Sequence, residues 1–258
     1  MWFSEPFERF REYVRDTYRL CLLSFRGIHT VQQSLDLTQA LYEVPGPSSW
    51  MPEPGEAEAA IKEAKQLAEL ARQEIENDFA LMNAHALVGL WGALETCIDD
   101  TVVAVLQHDS EIRKREPFMR VKVSVAEFEE LEVDDRMRLL LDEAKRLLRI
   151  EHRIGLNVFE SVLDTVGLSG QVDDPIAKDI LEFQQLRHVL VHRGGMADWR
   201  LCGRCPWLGL RPGERIMLKR TDLTRLLRAA QCYAEQVVEE RVSAKYGGTP
   251  PDHEAVGR

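Results

Sequence analysis

The sequence predicts an all-α fold, a helical bundle with a small irregular or hairpin insertion before its last helix. Three observations carry this. Apolar residues recur at helical spacing through most of the 258 residues. One long segment, 78–108, is apolar on more than one face, as a helix at the centre of a bundle or at a subunit interface is. Glycines and prolines concentrate in two stretches, 45–55 and 194–213, which read as breaks between helices.

Taken in order, residues 5–25 place Phe7, Phe10, Tyr13, Val14, Thr17, Tyr18 and Cys21 at helical spacing before Gly27, and a second short helix is expected over 30–43. The run Pro45 to Gly55 holds four prolines, which lack amide donors and fix φ. It is read as a linker that makes 1–44 a helical appendage to a main domain over 56–245. Within that domain, 56–76 carries a stripe of Ile61, Ala64, Leu67, Ala68, Ala71 and Ile75, and 78–108 is the central helix, with Gly89 and Gly92 allowing close approach. Residues 109–126 are expected as loop with a short extended piece at Val121–Val125, and further helices over 134–152 and 155–168. Asp173-Asp174-Pro175 starts the next helix, its proline in the first turn where it is tolerated. That helix runs to Gly194-Gly195. Gly203, Pro206, Gly209 and Pro212-Gly213 then predict a loop with a small hairpin over 196–220, followed by a last helix over 221–242. The tail, 246–258, is expected to be disordered.

With 45% apolar and 29% charged residues the chain has the make-up of an ordinary soluble protein. Met1-Trp2-Phe3-Ser4-Glu5 lacks the basic start and apolar run of a secretory signal, and the most apolar stretch, Phe79–Leu94, contains Asn83 and His85 and is too short to span a bilayer. No membrane association and a cytoplasmic location are therefore expected. Five cysteines, an odd number, argue against a disulfide scaffold. The net charge of −10 argues against nucleic acid as a partner, but the distribution is uneven. From Arg187 to Arg228 there are ten basic residues (Arg187, Arg193, Arg200, Arg204, Arg211, Arg215, Lys219, Arg220, Arg225, Arg228) against Asp198, Glu214 and Asp222. This +7 window is either a phosphate-binding footprint or a solvated face rich in arginine.

The start of that window carries the candidate chemistry. Arg187 and His192 lie ~140° apart on a regular helix, so they converge only if the Gly194-Gly195 break unwinds the last turn and swings His192 back. Histidine transfers protons in either direction near neutrality, and arginine grips two phosphate oxygens through its planar fork. A phosphate clamp beside an acid/base group is what cleavage of an RNA backbone requires: removal of the 2′-hydroxyl proton, stabilisation of charge on phosphorus and protonation of the leaving 5′-oxygen. Basic residues in a last helical turn also cap carbonyls, which is the plain structural alternative.

The run Arg187-His188-Val189-Leu190-Val191-His192-Arg193-Gly194 resembles the Arg-x4–6-His motif of the HEPN superfamily. Asn83 to Glu95 resembles the early core helix of that superfamily, particularly its ribonuclease-L-associated and toxin-like branch. Gly213 to Leu218 with the helix from Thr221 is similar to that branch's C-terminal part. The resemblance covers roughly 56–245. It implies a helical-bundle homodimer whose two motifs face each other across a cleft, acting as an endoribonuclease on an RNA substrate without metal or other cofactor. By position, Arg187 and His192 are the motif residues, His188 is the polar residue after the arginine, and Glu95 is the acidic residue that orients Arg187 or else pairs with another cation. Arg193, Arg200, Arg204 and Arg211 are the expected RNA-binding residues. A toxin or phage-defence setting, with an antitoxin or regulatory protein partner, follows from the same branch. The alternatives are a catalytically silent module of the same fold that binds RNA or protein as a scaffold, and a nucleotide-binding regulator.

Other motifs compete. Cys202-Gly203-Arg204-Cys205 is either a pair of loop thiols or half of a zinc site whose remaining ligands are not evident, His152 and Cys232 being the nearest candidates. Trp199 and Trp207 either stack on unpaired bases or pack beneath the hairpin. His85, on an apolar helix, reads as a core or interface histidine.

Overall fold

The structure is a computed structural model, which describes residues 1–43 and 55–247. The proline-rich linker (apart from Gly55) and the expected disorder of the tail beyond Gly247 fall outside the described residues. All regular elements among the described residues are helical: α1 (Glu5–Glu43), α2 (Glu56–Glu76), α3 (Ala80–His108), α4 (Ser110–Arg113), α5 (Val125–Glu130), α6 (Val133–Leu147), α7 (Asn157–Asp164), α8 (Asp174–His192), α9 (Trp199–Arg204), α10 (Arg220–Gln231) and α11 (Glu240–Tyr246). A π-helical segment, Cys232–Glu239, joins α10 to α11. No helix among the described residues is long and apolar enough to cross a membrane.

Three expectations are corrected. The break at Gly27 does not occur: α1 is continuous over 39 residues, because no proline interrupts it and glycine weakens a helix by only about 1 kcal/mol relative to alanine. The extended piece at 121–125 forms no strand. Val121 is locally extended, but it has no neighbouring strand, and α5 begins at Val125. The hairpin is only a pinch. Ala197 N–H donates to Glu214 C=O (2.8 Å) and Ile216 N–H to Gly195 C=O (2.9 Å), while the chain between them folds into α9, whose first turn is capped by Asp198.

The described chain divides into two compact units. The first comprises Met1–Val14, Leu87–Ile216 and the part from Thr224 onward. Its core is built on α3, buried all round through Leu87, Leu90, Trp91, Leu94, Ile98, Val102 and Leu106. The Trp91 ring meets Phe159 of α7 at 5.1 Å and Phe183 of α8 at 5.3 Å. Phe3, Phe7, Phe10 and Val14 are buried in this unit, to which the first 14 residues belong. The buried Asp100 carboxylate accepts from Arg9 (2.8 Å) and Arg138 (2.6 Å).

The second unit comprises Arg15–Ala86 and Met217–Leu223. Asp78 and Phe79 both take positive φ (49° and 57°) in the turn between α2 and α3, a conformation costing roughly 1–2 kcal/mol per L-residue. Burial of the Phe79 ring against Phe25 (4.5 Å) offsets that strain. Arg220 lies over both rings and donates its backbone N–H and Nε to the Asp78 carboxylate, each at 2.8 Å.

Candidate functional site

The C-terminal end of α8 and the α9 turn lie in the first unit. α8 is amphipathic towards the core: Ile180, Phe183, Leu186 and Val189 are buried, and Asp173-Asp174-Pro175 opens it as expected. Helical geometry persists through His192 and ends at Arg193. Gly194 and Gly195 (φ 59° and 77°) then take the left-handed conformation that glycine adopts without a Cβ clash, and Gly195 N–H returns to Val189 C=O at 3.1 Å. Because unwinding starts only at Arg193, His192 is not swung round towards Arg187, and the two remain about 140° apart on the helix. The convergence expected from the Gly-Gly break is thus corrected.

The residue that His192 does meet is His188. One turn apart on the same face, their rings lie 4.9 Å apart at 50°. His188 is half-buried and His192 exposed. Burial first, then the charge of His192, lowers the His188 pKa from its ordinary value; Arg193 and Arg200 push the same way, and Asp198 opposes them. The cause is physical: a second positive charge beside a partly desolvated imidazolium is unfavourable, so the pair holds one proton more readily than two. Asp198 is placed by its N-cap role, accepting the Leu201 N–H at 2.8 Å, and its other oxygen stands 3.9 Å from Arg193 Nε. Trp199 is 71% exposed, with the Arg200 guanidinium 5.3 Å from its ring.

Asp198→Ala removes both functions at once. We expect a loss of about 1 kcal/mol from the missing cap and a further fall in the His188 pKa, checked by urea unfolding and by NMR titration of the imidazole resonances.

The remaining sequence candidates divide. Arg187 is half-buried, and its Nε is buried with no hydrogen-bond partner among the described residues. Glu95 follows Trp91 by one turn on α3, and Trp91 packs on Phe183, one turn before Arg187. Among the described residues no ion pair joins Glu95 to Arg187, so the orienting contact is not formed. Arg193 and Arg200 are exposed beside the histidines, whereas Arg204 donates to Gln185 Oε1 (3.0 Å) and is held against α8. Arg211 is exposed, and its backbone N–H donates to the Glu214 carboxylate at 3.0 Å.

Trp207 belongs to the framework. Its Nε1–H donates to Glu182 Oε2 at 2.6 Å, and Lys178 Nζ lies 4.6 Å from its ring. Cys205 is buried beside Glu182; burial, then that carboxylate's charge, pushes its thiol up to about 12. Among the described residues no group of three or more His, Cys, Asp or Glu side chains is placed to hold a metal ion, so Cys202 and Cys205 gain no further ligands there.

Sequence reasoning passed over the His188–His192 pairing, although the signal was present: residues at i and i+4 share a helix face. Trp199 opens the short helix that Asp198 caps, a helix that a hairpin reading hides. Comparison with family models, with curated proteins and with solved structures finds no match to this chain.

Proposed function

We propose that this protein is an endoribonuclease that cleaves RNA by 2′-hydroxyl attack, with His188 and His192 as its acid/base pair. The observation that carries the reading is the 4.9 Å imidazole pair in which one ring is biased towards the neutral form. Neutral His188 accepts the 2′-hydroxyl proton, and protonated His192 delivers one to the leaving 5′-oxygen. The pair returns to its starting state by exchanging protons with water once the cyclic-phosphate product has left. Arg193 and Arg200 stand at the exposed side and neutralise phosphate charge. Trp199 offers a face on which an unpaired base stacks, which favours single-stranded RNA.

The resemblance to the HEPN superfamily supports the same activity and adds Arg187. A buried guanidinium Nε–H without an acceptor is unfavourable, and contact of Arg187 with a phosphate oxygen, or with a second copy of the chain at a dimer cleft, relieves it. The two-histidine chemistry itself needs only one chain. A toxin or defence role, with a regulatory protein partner, belongs to the reading through that resemblance alone.

The test is incubation of single-stranded RNA with wild type, Arg187→Ala and His192→Ala in EDTA. Wild type is expected to cut and both variants to lose most activity. Intact RNA with wild type refutes the catalytic reading and leaves the RNA- or protein-binding scaffold; equal cutting by His192→Ala removes the acid/base assignment.

A further inference from the structure

The imidazole pair on α8 suits a second chemistry. His188 and His192 stand four residues apart in one helix, the spacing at which two histidines on the same face can take a divalent ion between them. Their ring centroids lie 4.9 Å apart. An imidazole whose nitrogen binds zinc at about 2.0–2.1 Å keeps its centroid ~3.2 Å from the ion. Two rings sharing one ion, at the ~90–110° of a square-planar or tetrahedral centre, therefore hold their centroids ~4.5–5.2 Å apart. The observed separation falls inside that window, so the helix already sets the rings at chelating distance.

The ring nitrogens are also available. Among the described residues no hydrogen bond engages a nitrogen of either ring. His192 is exposed and His188 half-buried, so an ion with its remaining ligands reaches the pair from solvent. The lowered His188 pKa works in the same direction, because a metal takes the neutral imidazole. The charges acting on His188 select the kind of ion. Arg193 and Arg200 oppose a cation and Asp198 favours one. A hard ion such as Mg²⁺ prefers oxygen ligands and gains little from imidazole to offset the guanidiniums, whereas zinc binds imidazole strongly. The same guanidiniums suit an anion in the open positions of the metal.

We infer that His188 and His192 form a two-histidine site for a divalent late transition ion such as zinc, its other positions filled by water or an anion. Among the described residues no third His, Cys, Asp or Glu side chain joins them. With two protein ligands the ion exchanges with solvent and acts as a regulator rather than a structural element. Bound zinc displaces the His192 proton and holds one nitrogen of each ring. It thereby removes both groups from proton transfer and stops RNA cleavage. The inhibition rests on the ribonuclease reading; the binding does not.

The experiment titrates the full chain with zinc chloride near neutral pH, by calorimetry and by NMR of the imidazole resonances. Wild type is expected to hold zinc at least about tenfold more tightly than His192→Ala, because the second imidazole closes on an ion already held. That site is expected to vanish in His188→Ala/His192→Ala, which keeps all five free cysteines and so measures zinc taken by thiols. Both imidazoles are expected to shift together with zinc and neither with Mg²⁺. Zinc is expected to stop cleavage by wild type, and excess EDTA to restore it. Equal zinc affinity in wild type and the double variant, or imidazole resonances that zinc leaves unmoved, overturns the site. Cleavage that persists with both imidazoles zinc-bound overturns the inhibition. Zinc-shifted imidazoles in a protein that never cuts RNA support the site and refute only the ribonuclease reading.

Discussion

Arg225→Met is expected to destabilise the protein by about 3–5 kcal/mol, the cost of leaving a buried charge unpaired. The charge is Glu182, 1% exposed in the middle of α8. Arg225 reaches it from α10 and also pairs with Asp179 one turn earlier. Once Arg225 is gone, the Trp207 indole N–H remains as the carboxylate's neutral partner, which does not replace a cation. Glu182→Gln in the same background restores part of the loss, because a neutral amide in that place needs no counter-charge. Urea unfolding of the three proteins checks this, and a loss below about 1 kcal/mol for Arg225→Met contradicts the pairing. The consequence reaches the site, since Glu182, Trp207 and Arg204 are the polar ties that fix the α9 turn against α8.

The second large effect falls on catalysis. His188→Ala and His192→Ala are each expected to lower RNA cleavage by about 10²- to 10⁴-fold, the usual contribution of a positioned acid or base. Their pH dependence separates the roles. The His188 pKa is lowered, so the base stays neutral at pH values where an ordinary histidine, near 6.5, is already half protonated. The acidic limb of the wild-type rate profile therefore lies below that of free imidazole. In His192→Ala the neighbouring charge is removed, so the His188 pKa rises and the acidic limb moves up in pH. Residual cleavage in His192→Ala with an unmoved limb contradicts the electrostatic coupling of the two rings.

Most of the helical framework was legible because it depends on local spacing. The stripe in 56–76 and the all-round apolarity of 78–108 predict α2 and α3 closely, and Asp173-Asp174-Pro175 predicts the start of α8. Gly27 misled because a glycine marks a break only when something else ends the helix, and here nothing does. Gly203 and Pro206 misled in the opposite way: Asp198 caps a short helix across what composition reads as loop. The site was half legible. Arg187, His188 and His192 could be picked out, but which of them meet depends on whether the helix unwinds before or after His192. That is decided by where Gly194 and Gly195 turn left-handed, one residue beyond Arg193 at the earliest. The Glu95 expectation came from order along the chain, which says nothing about side-chain reach.

The most direct test of the account is the chemistry of the RNA ends. Single-stranded RNA incubated with wild type in EDTA is expected to yield fragments ending in 2′,3′-cyclic phosphate, and His188→Ala/His192→Ala is expected to leave the RNA whole. Intact RNA with wild type, or the same fragments from the double variant, contradicts it.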